Sequence, residues 1–277
     1  MSHARRFCRW TLLWAAAALL GACATGSQRA GGQPRQDFRL DTETVSRMRH
    51  AASVSRAAAG SLASTPAPSA VSTLVEVAPI LLAVFQAHDG EEKVKDLDAR
   101  LRECVQGAES SVNQRFFGNR PPTREECGQE VDVDECGEPI TRAMLLGREK
   151  HAVALSCVKD VLEKSWPAPF SIEQRYRYYR HARLVEAVSA TEEKRLIAQE
   201  CRPGLWSTIK PDIVLHADFN LLKALFILDL KFPCPDTNKP RWTEYGERSA
   251  YSGLNQKEVY EEALDAEAMM LTPKGYF

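Results

Sequence analysis

The sequence predicts an α/β fold in its C-terminal half, behind a mainly helical N-terminal region. Two apolar runs, at 209–216 and 222–232, have the length and composition of buried strands. Segments with helical periodicity, at 140–166 and 255–268, stand before and after them. The chain has 277 residues, of which 44% are hydrophobic, so it is long and apolar enough for a sizeable core in one or two domains.

The first residues have the pattern of a bacterial export signal. Three Arg residues precede a short apolar run at 10–20, and Leu-Gly-Ala follows just before Cys23. This ending resembles the bacterial lipobox, which implies cleavage after residues 1–22 and lipidation of the Cys23 thiol. Ala24 follows the cysteine, so the resemblance implies an exported lipoprotein held at the outer membrane through its lipid. The alternative is an ordinary signal peptide with an incidental cysteine.

The charge balance of the mature chain is mildly acidic. Removal of residues 1–22 takes away three of the 36 basic side chains and none of the 37 acidic ones, leaving a net charge of −4. A strongly basic surface, typical of proteins that bind nucleic acid through charge alone, is therefore not indicated.

Composition divides the N-terminal region into two parts. Residues 23–70 are rich in small and polar residues and predict a lipidated flexible tether with one short helix. Residues 71–139 predict a helical leader, with a core helix at 71–85, an amphipathic helix at 91–113 and a disulfide-pinned acidic loop at 119–138.

Six cysteines remain after the signal peptide and the lipidation site are set aside. In an oxidising compartment they can form three disulfides, with fifteen possible connectivities. Cys127 and Cys136 flank the acidic loop and are predicted to pair locally. A zinc site is the alternative, but no Cys-x-x-Cys pair is present. The six are Cys104, Cys127, Cys136, Cys157, Cys201 and Cys234.

Residues 140–277 predict a second domain, whose core has the order helix, strand, strand, strand, helix, strand. Pro139 and Pro167 bracket its first helix, and the turn residues at 218–220 separate its two most apolar strands. The predicted elements are a helix at 140–166, strands at 170–179 and 182–188, a helix at 191–201, strands at 209–216 and 222–232, a helix at 255–268 and a strand at 269–272.

Charged residues interrupt the two most apolar strands. Asp229 and Lys231 are two residues apart, so in a strand they project from the same face. Asp212 follows Pro211 in the preceding strand. Buried charges are costly unless a metal ion or a partner compensates them, and this cost indicates a functional site.

These residues and two further motifs resemble a known superfamily. Pro211-Asp212 followed by Asp229-x-Lys231 is similar to the signature of the PD-(D/E)xK, restriction-endonuclease-like superfamily. Gly147-x-x-x-His151 in the first helix and Gln256-x-x-x-Tyr260 in the last helix resemble motifs of its RecB-like branch. The resemblance covers residues 140–277 and implies a restriction-endonuclease-like core.

The resemblance implies a metal-dependent nuclease. Asp212 and Asp229 would hold Mg²⁺ (or Mn²⁺), since carboxylate oxygens suit these ions. His151 would complete the metal shell, and Lys231 would orient the attacking water or help to deprotonate it.

Other interpretations of the same residues stay open. Asp229 and Lys231 also fit a strand-edge ion pair. His151 also fits a structural histidine, in which case Glu149 or Glu163 would replace it as the helix ligand.

Substrate contacts are assigned to two groups. Gln256 and Tyr260 lie one helical turn apart, and they either hold the substrate backbone or brace Lys231. Arg175 and Arg177 belong to a basic, aromatic run that predicts a clamp for phosphates and bases. The alternative for that run is an exposed strand face.

The predicted export signal changes the biological role expected of a nuclease. The layout resembles polymorphic lipoprotein toxins of the myxobacterial outer-membrane-exchange type, which implies a C-terminal toxin domain delivered into other cells and an immunity protein for the producer. DNA is favoured over RNA as the substrate. The alternatives are a cell-surface nuclease that degrades environmental DNA and a non-catalytic lipoprotein that binds a partner.

Overall fold

The computed structural model describes Leu74, Leu81, Phe85 and residues 90–277 apart from 119, 200 and 202. The predicted signal peptide, the lipidation site at Cys23 and the tether lie outside these residues. Within the described part of the chain, no helix is long and apolar enough to cross a membrane.

The described residues form five α-helices and ten β-strands, which confirms the predicted α/β class. The helices are α1 (Gly90–Phe117), α2 (Arg124–Gly128), α3 (Arg142–Ser165), α4 (Ala190–Ile197) and α5 (Gln256–Leu264). The strands are β1 (Glu130–Val133), β2 (Pro139–Thr141), β3 (Phe170–Ile172), β4 (Tyr176–Tyr179), β5 (Leu184–Ala187), β6 (Thr208–Ile209), β7 (Ile213–His216), β8 (Ala224–Leu230), β9 (Glu267–Thr272) and β10 (Gly275–Tyr276).

A five-stranded sheet forms the centre of the fold. Its strand order is β10-β9-β8-β7-β3, and β8 and β9 are parallel while the other neighbours are antiparallel. Parallel strands need a crossover connection, which here contains α5. A smaller sheet has the order β5-β4-β6, and β1 and β2 form a separate two-stranded ribbon.

Both faces of the central sheet are covered by helices. Ile213 and Leu215 of β7 pack into one hydrophobic core with α1 and α3, whereas Val214 packs into a second core with α5. Successive strand residues point to opposite faces, so a strand buried on both sides is apolar throughout. This burial explains the apolar runs at 213–216 and 224–230, which are interrupted by His216 and Asp229 alone.

Helix α1 belongs to the same core as α3 and the central sheet. Leu74, Leu81 and Val94 are fully buried in that core. The interval predicted as a helical leader, residues 71–139, therefore contributes to the same hydrophobic core as residues 140–277.

The six cysteines of the described residues form three disulfides, which confirms disulfide formation but not the predicted local pair. Cys127 bonds to Cys234, and Cys136 bonds to Cys201. The prediction of a Cys127–Cys136 bond is wrong, because Cys127 ends on α2 against the loop after β8, while Cys136 lies in the β1–β2 turn. The third bond joins Cys104 of α1 to Cys157 of α3.

Two segments predicted as single strands are divided, which corrects the sequence prediction. The segment 170–179 breaks at Glu173, which has a left-handed φ of 50°, so β3 joins the central sheet and β4 the small one. The segment 209–216 breaks at Pro211, which has no N–H for a strand ladder. Both breaks lie together, since the Glu173 N–H donates to the Asp212 carbonyl at 2.8 Å.

Candidate active site

Two buried aspartates lie side by side at the end of the β7–β8 pair. Ile213 pairs with Leu228 in the antiparallel register, so Asp212 and Asp229, one residue further, are opposite each other. Asp212 is 8% exposed and Asp229 is 3% exposed. The order of the strands thus brings together two carboxylates that are 17 residues apart in sequence.

The Asp212 carboxylate is fixed by its neighbours. Its Oδ2 atom accepts the Leu230 N–H at 2.6 Å, which satisfies a backbone donor just beyond the last β7–β8 pair. The same oxygen lies 3.4 Å from Nδ1 of His151 on α3. The His151 ring also packs edge-on against Phe232, with 5.4 Å between centroids. Asp212 and His151 are therefore held in one orientation.

Lys231 contacts the second carboxylate. Its Nζ atom lies 2.5 Å from Oδ1 of Asp229, so the two side chains share a face, as the strand periodicity predicts. Nζ also donates to Oε1 of Gln256 at 2.6 Å and lies 5.7 Å from the centre of the Trp242 ring. The ammonium group is thus positioned by a carboxylate, an amide and an aromatic ring.

Gln256 and Tyr260 support Lys231 in this structure. Besides Lys231, Gln256 Oε1 accepts the Thr243 N–H at 3.2 Å, and its Nε2 donates to the Tyr260 hydroxyl at 3.3 Å. The Tyr260 hydroxyl donates to the Lys210 carbonyl at 3.4 Å. Tyr260 is only 1% exposed. The sequence allowed two roles for Gln256 and Tyr260, and their contacts correspond to the one in which they brace Lys231. The Tyr260 ring does not face solvent.

The electrostatics of the site reflect two close carboxylates. Burial, together with the charge of Asp212, raises the pKa of Asp229 to about 6 against the opposing effect of Lys231. Burial lowers the pKa of His151, but the hydrogen bond and charge of Asp212 outweigh it and raise that pKa overall. Burial and the neighbouring carboxylate thus both disfavour the ionised form of Asp229.

The donor set suits an open Mg²⁺ or Mn²⁺ site. Mg²⁺ is commonly held by one or two carboxylates, with water and substrate phosphate as its other ligands. Among the residues that the structure describes, no group of three or more His, Cys, Asp or Glu side chains is arranged to hold a metal ion. The chemistry of Asp212 and Asp229 therefore fits a two-carboxylate site and does not fit a closed all-protein cage.

The alternative helix ligands point elsewhere. Glu149 pairs with Arg115 of α1 at 3.1 Å, and Glu163 lies 3.9 Å from Lys159 on its own helix. Of the three helix residues considered from the sequence, His151 is the one that contacts the aspartate pair.

The predicted clamp residues are engaged inside the protein. Arg175 donates to Glu193 of α4 at 3.1 Å and to Thr208 at 2.9 Å. Arg177 lies 3.4 Å from Glu192 of the same helix. Acidic side chains of α4 thus neutralise both guanidinium groups, and neither is presented as a free phosphate ligand in this arrangement.

Sequence reasoning missed the wall formed by Trp242 and Thr243. Both lie in the irregular segment between β8 and α5, and they contact Lys231 and Gln256. The segment has no periodic pattern, so its fold is set by contacts distant in sequence. The one signal available in the sequence was an aromatic residue, Trp242, within a polar segment.

Comparison of the chain with protein families, with characterised proteins and with solved structures finds no significant match.

Proposed function

We propose that the chain is a Mg²⁺- or Mn²⁺-dependent phosphodiesterase that cleaves nucleic acid, with DNA as the favoured substrate. The observation that carries the proposal is the cluster of Asp212, Asp229 and Lys231 at the ends of two adjacent strands. In the proposal, residues 140–277 provide a restriction-endonuclease-like core. The mixed central sheet, with α3 before it in sequence and α5 between its two parallel strands, is consistent with that core.

Each residue has a chemical task in this proposal. Asp212 and Asp229 would hold the metal ion, which when bound stabilises negative charge on the phosphate. The Leu230 N–H keeps the Asp212 carboxylate oriented, and Gln256 keeps the Lys231 ammonium beside Asp229. Lys231 would place a positive charge and a proton donor next to the attacking water. His151 would position Asp212, or add an imidazole ligand from its side.

The proposed biological role is that of a toxin domain of an exported lipoprotein in competition between bacteria. Three disulfides are typical of proteins in oxidising compartments, which supports export. The predicted lipidation of Cys23 would attach the protein to the outer membrane, and a cognate immunity protein would protect the producing cell. A cell-surface nuclease for environmental DNA is the second candidate, since it uses the same export signal and site.

Cleavage of plasmid DNA by the purified chain tests the enzymatic proposal. We expect nicking or degradation with Mg²⁺ or Mn²⁺, none with a chelator, and a loss of about 100-fold or more in Lys231→Ala. Lys223→Ala is the matched control, because Lys223 forms a similar 3.0 Å pair with Asp218 at the other end of the β7–β8 hairpin. A folded, metal-loaded protein without cleavage would leave the non-catalytic binding module as the explanation.

Expression inside a bacterial cell separates the toxin from the scavenger. The chain without residues 1–22 is expected to stop growth and degrade cellular DNA, and Lys231→Ala is expected to do neither. Normal growth with soluble, folded wild-type chain would contradict the toxin role. A small reading frame just downstream, whose product restores growth, would support it.

A further inference from the structure

The segment between α1 and α3 is acidic and barely buried. Residues 120–141, which we call the acidic strap, contain α2, β1 and β2 and carry seven carboxylates and two Arg side chains. Of these residues, all of which the structure describes, only Pro122, Cys127 and Ile140 are buried. Because folded structure is stabilised mainly by buried apolar surface, the acidic strap has little intrinsic stability.

Besides the chain connections to α1 and α3, two disulfides attach the acidic strap to the rest of the protein. The Cys127–Cys234 bond joins it to the loop after β8, and the Cys136–Cys201 bond joins it to the segment after α4. Polar contacts also reach across, including one of 3.3 Å from Arg124 to Asn238. Exposed polar contacts of this kind contribute at most about 1 kcal/mol each. The disulfides are therefore the main attachment.

The first attachment point is close to the candidate active site. Cys234 is three residues after Lys231, and its Cα atom lies 5.7 Å from that of Cys127. Three residues span at most about 11 Å, so the Cys127 and Lys231 Cα atoms lie within about 17 Å of each other. At about 10 mM salt the Debye length is about 30 Å, so the charge of the acidic strap acts on a polyanion that approaches the site.

The candidate site has supports that are independent of the acidic strap. Gln256 is bound through its side chain to Lys231 and Thr243, and its backbone N–H donates to the Thr243 carbonyl at 2.9 Å. Pro235 of the loop after β8 is buried, and the Lys274 ammonium donates to the Asp236 carbonyl. Loss of the two disulfides therefore leaves these contacts in place.

We propose that reduction of Cys127–Cys234 and Cys136–Cys201 releases the acidic strap and removes its negative charge from beside the active site, so that nucleic acid binds more tightly. In each bond a dithiol reductant supplies two electrons and two protons, which gives two cysteine thiols and the oxidised dithiol. The acidic strap is then held in place in an oxidising compartment and released in a reducing one. The effect on nucleic-acid binding rests on the proposed function, whereas release of the acidic strap does not.

Hydrogen exchange of the full chain, with and without dithiothreitol, tests the release. Amides of residues 120–141 are expected to lose protection on reduction, while those of β7, β8 and α5 keep it. Unchanged protection of the acidic strap would overturn the proposal, and so would loss of protection in β8 and α5 at the same time. A Cys104→Ala, Cys157→Ala variant is the control, because that bond joins α1 to α3 and its loss should not free the acidic strap.

Binding of a duplex DNA oligonucleotide, measured in chelator to prevent cleavage, tests the consequence. At 10 mM salt the reduced protein is expected to bind about three- to tenfold more tightly than the oxidised one, with a ratio close to one at 150 mM. Equal affinity at 10 mM salt would overturn the electrostatic role of the acidic strap. Absence of DNA binding in both forms, with the acidic strap released on reduction, would instead contradict the proposed nuclease.

A charge variant tests the same idea without changing a cysteine. In the oxidised protein, Glu130→Gln with Asp132→Asn is expected to tighten DNA binding at 10 mM salt. Glu92→Gln with Glu103→Gln removes two exposed charges from α1 and is the matched control. An equal effect of both pairs would mean that net charge alone matters, which would overturn a specific role for the acidic strap.

Discussion

Lys231, the first residue after β8, holds its ammonium group 2.5 Å from the carboxylate of Asp229, two residues earlier. The contact compensates one of the two neighbouring aspartates, and the His151 imidazole lies 3.4 Å from the other. A metal ion that binds there would add positive charge between the carboxylates, and the phosphate of a substrate would then meet a positively charged site.

Binding of a metal ion should stabilise the protein. We expect Mn²⁺ or Mg²⁺ to raise the unfolding free energy by about 2–3 kcal/mol at a hundred times its dissociation constant, because it binds only the folded site. Denaturant titrations with metal and with chelator would measure the difference. Asp212→Asn and Asp229→Asn should remove the metal effect, and retention of the full effect in both would contradict the assignment.

Replacement of Gln256 by Ala should slow cleavage while leaving substrate binding nearly unchanged. Gln256 Oε1 accepts from the Lys231 ammonium and the Thr243 N–H, and its Nε2 donates to the Tyr260 hydroxyl, so its loss displaces Lys231 and acts on the chemical step. We expect kcat to fall by about 10- to 100-fold and KM to change by less than about threefold. Steady-state cleavage of a labelled duplex would give both values. A large rise in KM alone would mean that Gln256 contacts the substrate.

The stability of the protein should fall in mild acid because of His216. This residue is fully buried, with Nε2 2.9 Å from the Ser171 hydroxyl, and burial lowers its pKa to about 4. In the unfolded chain the His216 side chain therefore takes up a proton near pH 6.5, whereas in the folded protein it stays neutral until about pH 4. His216 thus does not lower the free energy of unfolding above pH 6.5, but lowers it progressively between pH 6.5 and pH 4. The expected loss from this group is about 2 kcal/mol between pH 7 and pH 5.

Urea unfolding at both pH values, for the wild type and His216→Gln, checks this expectation. The variant should lose about 2 kcal/mol less than the wild type over the same interval. Identical losses in the two proteins would show that another group controls the acid sensitivity.

A buried ion pair between α1 and α3 should be important for stability. Lys150 is 1% exposed, and its Nζ lies 2.8 Å from Glu109. Lys150→Met should cost about 3–5 kcal/mol, because it leaves the Glu109 carboxylate without a compensating charge in a poorly solvated site, with Asn113 as its remaining donor. Lys95→Met, which breaks an exposed 2.6 Å pair with Glu91, should cost less than about 1 kcal/mol.

Chemical denaturation of both variants and of Lys150→Met with Glu109→Leu completes this test. The double variant should regain part of the loss, since both charges are then absent. A small effect of Lys150→Met alone would mean that water reaches Glu109.

Local patterns in the sequence were sufficient for most of the helices and strands. Thr141 caps α3 and Asn255 caps α5 through hydrogen bonds to residues three positions later, so both helices begin where nearby residues dictate. Period-two geometry placed Asp229 and Lys231 on one face before any partner was known. Such features depend on a few neighbouring residues, which a sequence displays directly.

The tertiary structure decided which distant residues meet. Cys127 pairs with Cys234, 107 residues away, because the chain folds α2 back against the loop after β8. Arg177 was predicted from its basic, aromatic run to bind substrate, yet it pairs with Glu192 of α4. By itself, the sequence determined the α/β class, most of the order of the elements and the residue types of the candidate site. Only long-range packing brought Asp212 opposite Asp229 and Gln256 against Lys231, because contacts between separate strands and helices depend on how the whole core closes.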